Sequence, residues 1–216
     1  MAPAMTESVS YKPELDAAVA GVLLAGGLAR RMGGGDKCLR ELDGKTLLEH
    51  VIDRARPQVD VLLLNANGDP ARLAAFGLAV AGDVVEGNAG PLAGVLTGME
   101  WAVAEAQECS WLASFATDAP FFPKDLVARL KHAVEEEGAD MACASSGGRT
   151  HPVFAMWPLH LRDDLRRAVV EEGLRKVDLW TGRYNLAVVD FPVSPLDPFF
   201  NANSPEDLET AAFLMA

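Results

Sequence analysis

Residues Val22 to Cys38 read Val-Leu-Leu-Ala-Gly-Gly-Leu-Ala-Arg-Arg-Met-Gly-Gly-Gly-Asp-Lys-Cys, and this stretch constrains the fold more than any other. The run Gly21 to Ala25 is short and apolar, which predicts a buried strand, and it breaks abruptly into a loop rich in glycine and basic side chains. Gly26, Gly27, Gly33, Gly34 and Gly35 permit sharp turns and let backbone N–H groups approach a ligand closely, because no Cβ stands in the way. Arg30, Arg31 and Lys37 add positive charge to the same loop. A lysine is a compact point charge for a phosphate, and an arginine can hold two oxygens through parallel hydrogen bonds. A strand feeding such a loop is an anion cradle suited to a polyphosphate. The bland alternative is a flexible surface loop with solvated bases.

Two common nucleotide motifs are excluded by spacing. A P-loop places Gly-Lys before Ser or Thr, whereas Lys37 follows Asp36 and precedes Cys38. The dinucleotide fingerprint needs a third glycine where Cys38 stands after Gly33 and Gly35.

With 216 residues, half of them hydrophobic, the chain can bury a substantial core, and a single domain over residues 15–216 is expected behind a disordered tail, residues 1–14. A formal net charge of -12 argues against extended nucleic-acid or acidic-membrane binding, since both require surplus surface bases. Cys38, Cys109 and Cys143 are far apart, with no CxxC pair and no companion histidines, so neither a structural disulfide nor a zinc site is expected. Met1 to Lys12 lack the basic start and apolar block of a signal peptide, and no run approaches the roughly 20 apolar residues that span a bilayer. The cytoplasm is the expected compartment.

Along the chain, apolar runs alternate with helical patterns. Helices are predicted at about 46–56, 70–76, 91–106, 124–137, 159–171 and 174–180, and strands at 59–64, 78–81, 111–116, 138–145 and 185–191. This alternation implies a three-layer α/β/α sandwich with a mainly parallel, Rossmann-like sheet. Ligands of such sheets bind beyond the carboxyl ends of the strands. Asn65, directly after the second strand, is therefore a candidate contact, although Asn-Ala-Asn67-Gly is equally ordinary turn chemistry. Asp118 ends the strand 111–116 region, where a carboxylate can bridge Mg²⁺ to phosphate oxygens. The competing reading is a helix cap, yet Pro123 and Asp125 can serve that helix themselves. Gly90-Pro91 opens a helix whose first N–H groups are free to face a ligand. Asn201 and Asn203 are two apart, so an extended segment presents both on one face if Ala202 faces away.

Leu24-Ala25-Gly26-Gly27, Arg31-Met32-Gly33 and Asp36-Lys37 resemble the signature of nucleotidyltransferases, specifically the molybdenum cofactor guanylyltransferase family. Asn65-Ala-Asn67, Gly90-Pro-Leu-Ala-Gly94, Thr117-Asp118-Ala-Pro-Phe, His151-Pro and Phe199-Phe-Asn201-Ala-Asn203-Ser-Pro-Glu-Asp207-Leu continue the resemblance in the family's order, from about Ala20 to Leu214, with Ser204 where the family has Thr. The resemblance implies a fold like the nucleotide-diphospho-sugar transferases and transfer of GMP from GTP to molybdenum-bound molybdopterin. Nucleotide contacts are implied for Leu24, Ala25, Gly26, Gly27, Gly34, Lys37, Asn65, Asp83, Gly90 and Asp118; without it, Asp83 reads as a turn residue. Lys37, Arg31 and Asp118 would carry catalysis, Asp118 would hold Mg²⁺, and His151, Asn201 and Asn203 are weaker candidates for the second substrate. The double glycine points to a purine, because relatives using CTP or UTP usually carry Leu-Ala-Ala-Gly. Molybdoenzyme assembly proteins are possible partners. A cytidylyl- or sugar-nucleotide transferase of the same superfamily, or a non-catalytic GTP-binding partner in molybdoenzyme assembly, would share much of this pattern.

Overall fold

A computed structural model describes residues 17–26, 36–85, 90–204, 206–207 and 209–210. Among the described residues, seven strands form one sheet: β1 (Ala18–Leu24), β4 (Val61–Asn65), β5 (Ala79–Ala81), β6 (Cys109–Ala116), β7 (Met141–Ser146), β8 (Arg149–Pro158) and β9 (Leu186–Phe191). A two-stranded ribbon, β2 (Glu41–Leu42) with β3 (Lys45–Thr46), stands beside it. The order of the main sheet is β5-β4-β1-β6-β8-β7-β9. Every neighbouring pair is parallel except the two that involve β8, which runs antiparallel between β6 and β7.

Side chains alternate across each strand, so β1 feeds two cores. Val19 and Leu23 join Leu48, Val51, Phe115 and Leu130 on one face, beneath α1 (Leu47–Ala55) and α3 (Leu126–Glu137). Ala20 and Val22 join Leu96, Met99 and Trp157 on the other, beneath α2 (Pro91–Glu105), α4 (Arg162–Val170) and α5 (Val177–Thr181). This is the three-layer sandwich expected from the alternating pattern.

Helix α1 starts on a capping box: Thr46 Oγ1 accepts from the Glu49 N–H and the Glu49 carboxylate accepts from the Thr46 N–H. Its predicted apolar positions, Leu47, Leu48, Val51, Ile52 and Ala55, are all buried. Helix α3 differs from expectation. Asp125 makes no side-chain cap bond; Gln58 Oε1 instead accepts from Val127 N–H at 3.0 Å, while Gln58 Nε2 donates to the Arg54 and Pro123 carbonyls. The strand predicted at 138–145 begins later, at Met141, because Gly138 takes a left-handed conformation and closes α3. The helix predicted at 174–180 shortens to α5, since Gly173 turns and the Leu174 N–H returns to the Ala168 carbonyl. Among the described residues no helix is long and apolar enough to cross a membrane.

Candidate active site

The carboxyl ends of β4, β1 and β6 are level, with Leu24 paired in register to both Asn65 and Ala116. Beyond them lies a cavity of about 450 Å³ lined by Leu24, Gly26, Lys37, Asn65, Asp83, Gly90, Asp118 and Asn201, with Asn67, Gly94, Thr117 and Val153 among the remaining walls. A second cavity of about 390 Å³, around Cys109, Ser110 and His160, opens at the opposite edge, at the start of β6. The physics of a parallel sheet favours the first as the ligand site.

One end of the cavity is built around Asp83. Asn65 is buried, and its Nδ2 donates to the Ala81 carbonyl at 3.2 Å and to Asp83 Oδ1 at 3.0 Å. Asn67 Nδ2 donates to Asp83 Oδ2 at 2.8 Å while Asn67 Oδ1 accepts from the Asp83 N–H at 2.7 Å. Both carboxylate oxygens are thus held in place, and each keeps a lone pair for a further donor. The turn is tied to α2 through Thr97, whose Oγ1 accepts from Val84 N–H at 3.0 Å and donates to the Ala93 carbonyl at 2.8 Å. Close approach of α2 requires a glycine: a Cβ on Gly94 would stand 2.5 Å from Asn65 Oδ1 and 2.6 Å from Leu24 Cδ2. Gly90 precedes α2 with φ of +72°, a conformation that other residues rarely adopt.

The other end is built around Lys37, which is only 8% exposed. Its Nζ donates to Asp118 Oδ2 at 2.7 Å and to Asn203 Oδ1. The Asp118 carbonyl accepts from the Ala202 N–H at 2.8 Å, and Ala202 is fully buried. Asn201 on one side of Ala202 reaches the cavity wall, and Asn203 on the other reaches the lysine. The segment then enters a helical turn: Ser204 Oγ accepts from the Asp207 N–H, and Asp207 Oδ2 accepts from the N–H groups of Asn203 and Ser204.

Among the described residues no group of three or more His, Cys, Asp or Glu is placed to cage a metal. Asp118, paired with Lys37, and the Asn201 amide both line the cavity. That oxygen set fits a hard divalent ion which draws its remaining ligands from phosphate and water, and does not fit zinc or a soft metal. Cys38, next to Lys37, is no nucleophile: burial, with Asp36 nearby, pushes its thiol up to about 11. Burial likewise raises Cys109 and Cys143 to about 11.

The structure thus brings Leu24, Gly26, Lys37, Asn65, Asp83, Gly90, Asp118 and Asn201 to one cavity, with Asn203 bonded to Lys37 behind it. Ala25 is buried and contributes through its N–H, which donates to the Asn65 carbonyl at 2.9 Å. Gly27, Arg31 and Gly34 lie outside the described residues. His151 does not reach the cavity wall. Its ring is buried, stacked on Phe199 with centroids 4.5 Å apart, and Nε2 meets Ser146 Oγ at 2.7 Å. Because the Ser146 hydroxyl hydrogen goes to Asp197 Oδ1, Nε2 carries the proton and donates. Sequence reasoning passed over Asn67 and Thr117, whose only signal was membership of motifs already noticed for their neighbours.

An α/β sheet of this order, with lysine, carboxylate and amide groups converging beyond its parallel strand ends, is the architecture of a nucleotidyltransferase. Residues 21–183 match the model of the MobA-like NTP transferase domain. The molybdenum cofactor guanylyltransferase of Rhodopseudomonas palustris (strain BisB5) is 57% identical over 190 residues, 88% of this chain and 90% of the relative. The protein of the same name from Bradyrhizobium sp. (strain ORS 278) is 57% identical over 199 residues, 92% of this chain and 94% of the relative. The crystal structure of molybdopterin-guanine dinucleotide biosynthesis protein A from Archaeoglobus fulgidus superposes with a TM-score of 0.69 at 26% identity, covering 91% of this chain and 98% of that one. The chain belongs to the molybdenum cofactor guanylyltransferase family of MobA-like NTP transferases.

Proposed function

We propose that the protein joins GMP from GTP to the terminal phosphate of molybdenum-bound molybdopterin. A phosphate oxygen of the acceptor forms a bond to the α-phosphorus of GTP, the bond from that phosphorus to the bridging oxygen breaks, and pyrophosphate leaves with the bonding electrons. The acceptor phosphate is already a nucleophile, so no general base is needed. The work of the protein is to align two anions and neutralise the leaving group.

The observation that carries this reading is one cavity with an anchored carboxylate at one end and a buried lysine paired with a second carboxylate at the other. Asp83 suits guanine, whose ring N–H and exocyclic amine are both donors. Lys37, with Arg31 from the glycine loop, would hold the triphosphate, and Lys37 would exchange its contact with Asp118 for phosphate oxygens. Asp118 would hold Mg²⁺, which when bound supplies charge neutralisation at the phosphates. Asn201, on the cavity wall, would help position the acceptor, and Asn203 would act through its bond to Lys37. The proposed setting is the cytoplasm, where both substrates would be available in solution.

Mass-resolved turnover with Mg²⁺, molybdenum-bound molybdopterin and each NTP in turn tests the proposal. GTP should give the dinucleotide and pyrophosphate; a clear preference for CTP would overturn the guanine assignment. Asp118→Ala should abolish turnover while GTP binding is largely kept, and product formation by that variant would remove the metal role.

A further inference from the structure

Arg72 lies on the 3-10 helix Pro70–Phe76, outside the cavity, and nothing above gives it a task. Its guanidinium nevertheless gathers acceptors from two directions. Nε donates to Asp36 Oδ2 at 2.5 Å, with Nη2 3.4 Å from Asp36 Oδ1. Nη2 also donates to the Asn67 carbonyl at 2.7 Å, and Nη1 to the Asp69 carbonyl at 2.5 Å. Asp36 immediately precedes Lys37. Asn67 is the residue that holds both the backbone and one oxygen of Asp83. One planar side chain is therefore bonded at once to the neighbour of the lysine and to the holder of the carboxylate, the two ends of the cavity.

We propose that Arg72 is a positioning residue that clasps the exit of the glycine loop to the Asn65-Ala-Asn67 turn and thereby sets GTP affinity and guanine selectivity. The inference rests on the nucleotide reading of the cavity given above. An exposed ion pair ordinarily adds little stability. Its value here is geometric: a guanidinium fork holds a carboxylate and backbone carbonyls in one plane, which a lysine cannot reproduce. Holding both ends of the cavity at their working separation before the nucleotide arrives removes an ordering cost from binding. Without the clasp, the Asn67 carbonyl loses this partner and the turn presenting Asp83 gains freedom. The hydrogen bond to the guanine amine should suffer most, because it depends on the exact placement of that carboxylate.

Calorimetric titration of the full chain with GTP and with ITP, each with Mg²⁺, provides the test, because inosine lacks the exocyclic amine. Arg72→Ala should weaken GTP binding about tenfold and ITP binding less, so that the GTP-to-ITP ratio narrows, with the unfolding temperature nearly unchanged. Arg72→Lys should behave like Arg72→Ala. Unchanged GTP affinity in Arg72→Ala would overturn the clasp alone. So would an equal loss for both nucleotides that follows a drop in unfolding temperature and is repaired by Arg72→Lys, since that is ordinary support of the fold by charge. Failure of the wild type to bind GTP would overturn the nucleotide reading, and the clasp with it.

Discussion

Gly94 shows how one missing methyl shapes the cavity. Adding a Cβ there meets Asn65 Oδ1 and Leu24 Cδ2 well inside contact distance, and Asn65, buried and bonded to Asp83, can make room only by giving up that bond. Gly94→Ala should cost about 1–3 kcal/mol of stability by overpacking, read by urea unfolding, and should lose GTP affinity because Asn65 must rotate away from Asp83. A second residue-scale prediction concerns His151, whose ring burial holds its pKa below the ordinary 6.5, a shift partly opposed by Asp197. Below about pH 6.5 the unfolded chain takes up a proton that the folded ring resists, so stability should fall as pH drops through that region. His160, also lowered by burial, contributes with the same sign. His151→Gln should flatten the pH dependence of the urea midpoint between about pH 7.5 and about pH 5.5 without abolishing it. At this scale the sequence exposed chemistry but not pairing. Lys37, Asn65 and Asp118 stood out because charge or amide followed a strand or glycine turn, whereas only the family resemblance lifted Asp83 above an ordinary turn residue. That Lys37 would meet Asp118, 81 positions away, depends on strand order. Arg72 carried no signal in the sequence, because its partners are the Asn67 and Asp69 carbonyls and a carboxylate 36 positions away.

The helices were legible where the apolar period and the cap agree, as in α1 with its Thr46–Glu49 box. They were less so where a side chain from another layer supplies the cap. Gln58 caps α3 from 69 positions away while bonding back to Arg54, so it joins the ends of two helices packed on the same face. Gln58→Ala should cost about 1–2 kcal/mol, measured by urea unfolding, because the Val127 N–H loses its acceptor and the Pro123 carbonyl one of its two donors. The other strands of the main sheet followed the apolar runs, yet β8 was not among the strands expected. A tight Gly147-Gly148 turn announces a hairpin with β7, but only burial on both faces decides that β8 inserts between β7 and β6 rather than ending the sheet.

For the whole molecule, the seven-stranded sheet threads the two cores together, and we expect residues 15–216 to unfold in one cooperative transition by calorimetry. GTP with Mg²⁺ should raise that transition. At a nucleotide concentration about a hundredfold above Kd the gain is about 2.7 kcal/mol, or roughly 5–10 °C for a chain of this size. Absence of a shift would speak against a nucleotide bound across the strand ends. With a net charge of -12, an anionic substrate must be drawn in by local positive groups such as Lys37 rather than steered by the field of the whole protein. The bond from Asn203 to Lys37 has a consequence for the order in which the molecule is made. The lysine leaves the ribosome 166 residues ahead of the asparagine that completes its surroundings, and Asp118 waits similarly for Ala202. A nascent chain can lay down the sheet through β9 before the segment carrying Ala202 and Asn203 emerges to enclose the lysine and its carboxylate partner.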